Sequence, residues 1–137
     1  MQNKPDRIVL DTNLLISFLI SNSFHKLDKL ITQNKIIFIL SSTLINEFMD
    51  VASRPRFRKV FSELQILELL TKIQNHSDIV DVKSSVNVCR DENDNFLLEL
   101  CIDGKVDYLI TGDEDLLVLN PFKKTKIIKL TNYLKKF

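Results

Sequence analysis

The stretch Arg7-Ile8-Val9-Leu10-Asp11-Thr12-Asn13 places three branched apolar residues directly before an aspartate. A second stretch, Asp107-Tyr108-Leu109-Ile110-Thr111-Gly112-Asp113, does the same near the other end of the chain. Each reads as a buried strand that stops at an acid. In a parallel α/β sheet, sites form in the crevice outside the carboxyl ends of the strands, where the strand order reverses. Two further acids, Glu47 and Asp94, fall in or at the start of expected helices. Four carboxylates gathered there repel one another unless a hard cation holds them, so the pattern argues for a magnesium or manganese site.

Working outward, the apolar runs Ile8 to Leu10, Lys35 to Leu40, Val106 to Thr111 and Lys126 to Leu130 read as strands, with Ile79 to Val82 a weaker fifth. The run Lys-Ile-Ile-Phe-Ile-Leu at 35–40 is almost wholly apolar, as expected when both faces of a strand are covered. Helical spacing predicts segments at 13–20, 24–33, 64–73, 95–103, 114–119 and 132–136. Another is capped by Ser42 or Thr43 and ends near Arg54-Pro55, because the residue before proline is pushed out of helical geometry. Gly104 is expected in the left-handed position just after the helix that Asp94 opens. Strands alternating with helices define an α/β sandwich with a largely parallel sheet.

A chain of 137 residues fits one domain, 1–137, with a single sizeable core. Apolar content of 45% and charged content of 27% exclude a disordered chain. The net charge of +1 names no partner, but the charges are segregated: acids at 91–94 and 113–115, bases at 54–59 and 123–136. Cys89 and Cys101 have neither metal-ligand spacing nor a disulfide framework and read as reduced core residues. No run is long enough to span a bilayer and the apolar run 14–20 lacks the features of a signal peptide, so the expected location is cytoplasmic.

Each acid has a plainer alternative. Asp11 could do no more than cap the helix after it, and Asp94 could likewise be only a cap. Glu47 flanks the stripe of Leu44, Ile45, Phe48 and Ala52, so it could be a solvated surface residue as readily as a site residue. Asp113 follows strand and glycine directly and is preferred over Asp115 as a ligand, while Asp91 is the weaker of the pair 91 and 94. Arg54, Arg56, Arg58 and Lys59 surround Phe57, and Lys123, Lys124, Lys126 and Lys129 form a second basic group; both could track phosphates or simply be solvated faces. Phe57 fits the core better than it fits a base-stacking platform.

Together these stretches resemble the PIN-domain ribonucleases. The resemblance is carried by Val9-Leu10-Asp11-Thr12-Asn13-Leu14-Leu15, by Glu47 with Arg54-Pro55-Arg56-Phe57, by Cys89-Arg90-Asp91-Glu92-Asn93-Asp94-Asn95-Phe96-Leu97-Leu98-Glu99-Leu100, and by Gly104 to Leu117. It runs over almost the whole chain and is closest to the toxin branch of toxin–antitoxin pairs. It implies a three-layer α/β/α sandwich with a five-stranded, mainly parallel sheet. It also implies a Mg2+- or Mn2+-dependent endoribonuclease with Asp11, Glu47, Asp94 and Asp113 as metal-binding and catalytic acids and Asp115 in support. Glu92 stands where many close relatives carry proline, a change expected to alter a loop and not the acids.

A site of this kind lowers the pKa of a bound water and stabilises charge developing on phosphate. Thr12, Asn13, Asp91 and Thr111 are expected to support the acids, the hydroxyl and amide groups by hydrogen bonding to them or to water. His25 and His76 lie away from every motif and read as surface residues. The expected partners are RNA as substrate, a protein antitoxin, and a second copy in a homodimer joined near Ile16, Phe18 and Leu19 or Ile66 and Leu69, with no membrane contact. Two other classes compete. A receiver-like phosphoacceptor domain would want a central aspartate where Ser41 ends the second strand, and a non-catalytic RNA- or protein-binding module would not need four intact acids.

Overall fold

The computed structural model describes residues 4–137. Its strands are β1 (Asp6–Leu10), β2 (Ile36–Leu40), β3 (Ser77–Ile79), β4 (Tyr108–Ile110) and β5 (Lys126–Ile128). Its helices are α1 (Thr12–Ser21), α2 (Asp28–Thr32), α3 (Ser42–Ala52), α4 (Glu63–Gln74), α5 (Asn95–Asp103), α6 (Glu114–Leu117) and α7 (Leu130–Leu134), with short 3-10 turns at Phe24–Leu27, Pro55–Phe57 and Glu92–Asp94. The five strands form one all-parallel sheet in the order β3-β2-β1-β4-β5. Successive side chains of a strand face opposite sides, yet Ile8, Val9 and Leu10 of the central strand are all buried. Helices therefore cover both faces, giving the three-layer α/β/α architecture expected of the family.

The order of the strands positions everything that follows. From β1 the chain winds outward through β2 to β3, then returns to lay β4 against the other side of β1. The order reverses between β1 and β4, where Leu10 stands in register with Ile110. A crevice opens beyond the carboxyl ends of these two strands, as such reversals require.

Several local expectations shift. Ser41, and not Ser42 or Thr43, caps α3: its extended backbone turns the hydroxyl to accept the Leu44 N–H at 3.1 Å. Gly104 is not left-handed, having φ −85°; Lys105 takes the positive φ of 50° instead. The glycine is needed for closeness. A Cβ there would lie 2.6 Å from Ile39 Cγ2 and 2.8 Å from the Leu100 carbonyl oxygen. The segment 24–33 divides into a 3-10 turn and the five-residue α2, and the C-terminal helix begins two residues early, at Leu130.

The weak strand lies at 77–79, not 79–82, because β2 offers partners only as far as Leu40. The chain from 80 to 89 instead runs beside α5, whose side chains serve it as a ladder. Asp103 accepts the Lys83 and Ser84 N–H groups at 2.5 and 2.8 Å, Glu99 accepts the Val86 N–H at 2.9 Å, and Asn95 accepts those of Val88 and Cys89 at 3.3 and 2.9 Å. Positions 95, 99 and 103 repeat every four residues and so share one face of the helix. This strap delivers residues 89–94 to the crevice.

At the opposite end of the sheet, Asp6 accepts the Tyr133 hydroxyl and the Lys136 ammonium, each at 2.7 Å, which anchors α7 to the first strand. Burial, with Asp6 beside it, pushes the Tyr133 hydroxyl well above the ordinary tyrosine range. Ile16, Phe18, Leu19, Ile66 and Leu69 all belong to the core, while Ile20 of α1 and Leu64 and Leu67 of α4 are the exposed apolar residues of the same helices. Both cysteines are buried and free; burial pushes the Cys101 thiol up to about 12, making it inert at neutral pH.

Candidate active site

Asp11 follows β1 directly and is 4% exposed. Its Oδ1 accepts the Leu14 N–H at 2.7 Å, so it caps α1, and its Oδ2 accepts the hydroxyl of Thr111. Capping and site-building are therefore not exclusive here: one oxygen holds the helix and the other faces the end of β4. Burial raises the pKa of Asp11, opposed by these two hydrogen bonds, and the Asp113 charge raises it further.

Thr111 is buried and works in both directions. While donating to Asp11 it accepts the Asp113 N–H at 3.0 Å, and Asp113 in turn caps α6 by accepting the Asp115 N–H at 2.9 Å. A chain of three hydrogen bonds thus links Asp11 to the start of α6. Asp11, Asn13, Leu14, Ser17, Asp113 and Asp115 line an open cleft of about 690 Å³ there, completed by Gly112 and Glu114.

Asp94 occupies the position just before α5 but makes no capping bond, so its carboxylate is not consumed by the helix. It is pushed up to about 6 by burial first, then by the charges of Asp113 and Asp91, a hydrogen bond with Asp113, and the charge of Asp11. Three of the four expected acids therefore converge: Asp11, Asp94 and Asp113. Asp91 lies close enough to be felt by Asp94, and its own side chain accepts the Asn93 N–H at 3.0 Å.

Glu47 is different. It is half-buried on α3, makes no hydrogen bond to another acid among the described residues, and does not line the cleft. Nor do Arg54, Arg56, Arg58 and Lys59 line it. Arg54 instead pairs with Asp50 at 3.5 Å, and Arg56 lies over the Phe57 ring at 4.8 Å. Phe57 is half-buried and stacks on Phe61 with centroids 5.2 Å apart, as a core residue would. In the second basic group, only Lys129 reaches the cleft end, 3.9 Å from Glu114; Lys123 and Lys124 precede β5 and lie towards the other end of the sheet. His25 and His76 are exposed, as their sequence context suggests.

Two site residues escaped the sequence reading. Arg90 sets its guanidinium 3.6 Å from Asp115, an arginine inside an acidic motif. Asn95 is buried on the apolar stripe of α5, and a buried amide on such a stripe signals a specific hydrogen-bonding duty.

The donor set suits a hard divalent cation. It is all oxygen, and after burial the neighbouring acids help to raise the pKa of Asp11 and Asp94, a cost that such an ion relieves. The Thr12 hydroxyl, buried beside Asp11 without a hydrogen-bond partner, would be satisfied by water or a ligand oxygen. Among the described residues no three acids are yet close enough to form a coordination shell, so binding would draw the carboxylates inward.

Comparison with known proteins agrees with this geometry. The family model described as PIN domain matches residues 7–115. The chain belongs to the PIN-domain family, whose members are generally nucleases and typically use Mg2+ or Mn2+. It is 34% identical over 135 residues to the uncharacterized protein MJ1680 of Methanocaldococcus jannaschii, covering 96% of this chain and 85% of that one. It also resembles the crystal structure of PAE2754 from Pyrobaculum aerophilum, with TM-score 0.55 and 16% identity over 96% of this chain and 88% of that one, a likeness of fold. Among the described residues, no helix is long and apolar enough to cross a membrane.

Proposed function

We propose that this protein is a Mg2+- or Mn2+-dependent endoribonuclease, the toxin of a toxin–antitoxin pair. The observation that carries the nuclease reading is the meeting of Asp11, Asp94 and Asp113 at the strand-order reversal, with Asp94 pushed up to about 6 partly by its acidic neighbours. These three would hold the cation, with Asp115 beside them and Glu47 as the fourth acid that the motif resemblance implies. A bound divalent cation supplies Lewis acidity, polarising a phosphoryl oxygen and acidifying water.

The chain's own residues supply orientation. Thr111 fixes the rotamer of Asp11 and couples it to Asp113. Arg90 offsets the charge of Asp115 at the cleft mouth and is free enough, at 86% exposed, to meet an incoming phosphate. Asn13 lines the same cleft and offers an amide to the substrate backbone. Arg54, Arg56, Arg58 and Lys59 would guide RNA phosphates towards it. The toxin role, its protein antitoxin, the homodimer and a cytoplasmic location rest on the motif resemblance. A dimer would have to use exposed apolar residues such as Ile20, Leu64 and Leu67 in place of the core residues.

The test is incubation of end-labelled single-stranded RNA with purified protein in manganese or in EDTA. Cleavage in manganese is expected, with loss in EDTA and in both Asp94→Asn and Asp113→Asn. Undiminished cleavage in EDTA, or by a folded Asp94→Asn protein, would sink the mechanism. Manganese at a hundred times its dissociation constant should stabilise the fold by about 2.7 kcal/mol. Growth arrest on expression tests the toxin role separately.

A further inference from the structure

Two adjoining cavities, of about 670 and 630 Å³, open at the end of the sheet opposite the acidic cleft and share Gln33, Lys35, Lys136 and Phe137. Lys4, Lys26 and Lys29 complete their cationic lining. Among the described residues, the one acidic side chain in either lining is Asp6, and it is already engaged by Lys136 and Tyr133. Lys4, Lys26, Lys29 and Lys35 make no ion pair among the described residues, whereas Arg7, Arg54, Arg90 and Lys129 all do. Four uncompensated ammonium groups around a double cavity create a local positive potential in a protein whose net charge is only +1.

The aromatic component is at hand. Phe137 is 52% exposed beside these lysines, with Lys136 Nζ 5.4 Å from its ring centroid. Ammonium groups tracking a phosphate backbone beside an exposed ring suit single-stranded nucleic acid, because every base offers a face for stacking. An acidic peptide would use the charges but not the ring. Lys4 and Lys35 lie just before β1 and β2, so the lysine end and the cleft end are separated by the length of the sheet, about 17 Å along β1.

We propose that this lysine-lined double cavity is a second RNA-binding site, holding the single-stranded substrate away from the point of cleavage. The proposal rests on the ribonuclease reading for the identity of its ligand. It makes the protein a two-point binder, in which the acidic cleft, itself repelling phosphate, need not supply the affinity.

The experiment is fluorescence anisotropy with a labelled single-stranded RNA 20-mer in EDTA, at several salt concentrations. Wild type is compared with the triple variant Lys26→Gln, Lys29→Gln, Lys35→Gln. These side chains are exposed, so the variant should match wild type in its thermal melt. Affinity at low salt should fall about tenfold or more. The dependence of log K on log salt should flatten by about 2, from three contacts at roughly 0.7 each on a single strand. Cleavage of a tetranucleotide in manganese should be unchanged, while cleavage of the 20-mer at sub-saturating concentration falls with the affinity. Equal affinity and slope in the two proteins would overturn the proposal, as would polyglutamate displacing the RNA at lower charge concentration than unlabelled RNA does. Absence of cleavage by wild type, with the binding difference intact, would refute the catalytic reading and leave this site standing.

Discussion

Thr111 and Asp11 are a hundred residues apart in sequence, and the hydroxyl of one donates to the carboxylate of the other just past the carboxyl ends of β4 and β1. The threonine does what a metal or an arginine would otherwise have to do for a buried acid: it gives the charge a fixed partner. Thr111→Val keeps the shape and removes the donor. Unfolding in urea should show a loss of about 1–3 kcal/mol, the cost of an unsatisfied buried acceptor, with Thr111→Ser close to wild type. Equal losses in both would assign the effect to packing.

Asp94→Asn should raise the melting temperature of the metal-free protein. The pKa of Asp94 in the folded state is raised, so its stabilising contribution is fully present below the ordinary aspartate range and is lost as pH rises through about 6. The gain over wild type in EDTA should therefore be larger at pH 7.5 than at pH 5. Asp11→Asn should gain less, because Asp11 already has two donors and its amide replacement can serve only one of them as before. Differential scanning fluorimetry of the three proteins at both pH values decides it; a lower melting temperature for Asp94→Asn would show that its carboxylate is a structural ligand of the fold.

What could be read before the fold was known follows a physical line. Asp11 and Asp113 were legible because a buried strand followed by an acid is a local pattern, and the parallel sheet makes that pattern spatial. Asp94 was legible as a helix opener, but its freedom from capping was not, since that depends on the neighbouring carboxylates. Arg90 and Asn95 were hidden because their partners, Asp115 and the 88–89 backbone, are set by how the strap folds back on α5. Gly104 was noticed for the wrong reason: a glycine after a helix suggests a left-handed turn, whereas here Ile39 comes too close for a side chain.

Gly104→Ala and Gly112→Ala should differ sharply. The first puts a methyl 2.6 Å from Ile39 Cγ2 and 2.8 Å from backbone, and overpacking of this kind costs about 1–3 kcal/mol. The second meets nothing within 4 Å and should leave stability within about 0.5 kcal/mol of wild type. Denaturant midpoints of the two variants test this; matching midpoints would mean that the β2–α5 contact relaxes freely.

The strap should loosen in acid. Asp103 has its pKa lowered, first by the Ser84 hydroxyl and then by the Ser84 and Lys83 N–H groups. Its contribution is therefore present above the ordinary aspartate range and is lost as pH falls through the depressed value. In Asp103→Ala, the Lys83 and Ser84 amides should exchange with deuterium about tenfold faster at neutral pH, while β1 and β4 amides stay protected. Unchanged exchange at 83–84 would mean that Glu99 and Asn95 hold the strap unaided.

The pairing of β1 with β4 also governs when the molecule comes into being on the ribosome. β1 can meet β2 after some forty residues, but its other neighbour is the segment 108–110. Asp94 and Asp113 cannot stand beside Asp11 until that late segment has emerged and inserted. A nascent chain is thus a half-sheet with an exposed flank, prone to trapping. The acidic centre is therefore a product of long-range pairing and cannot precede the docking of residues 108–110 against β1.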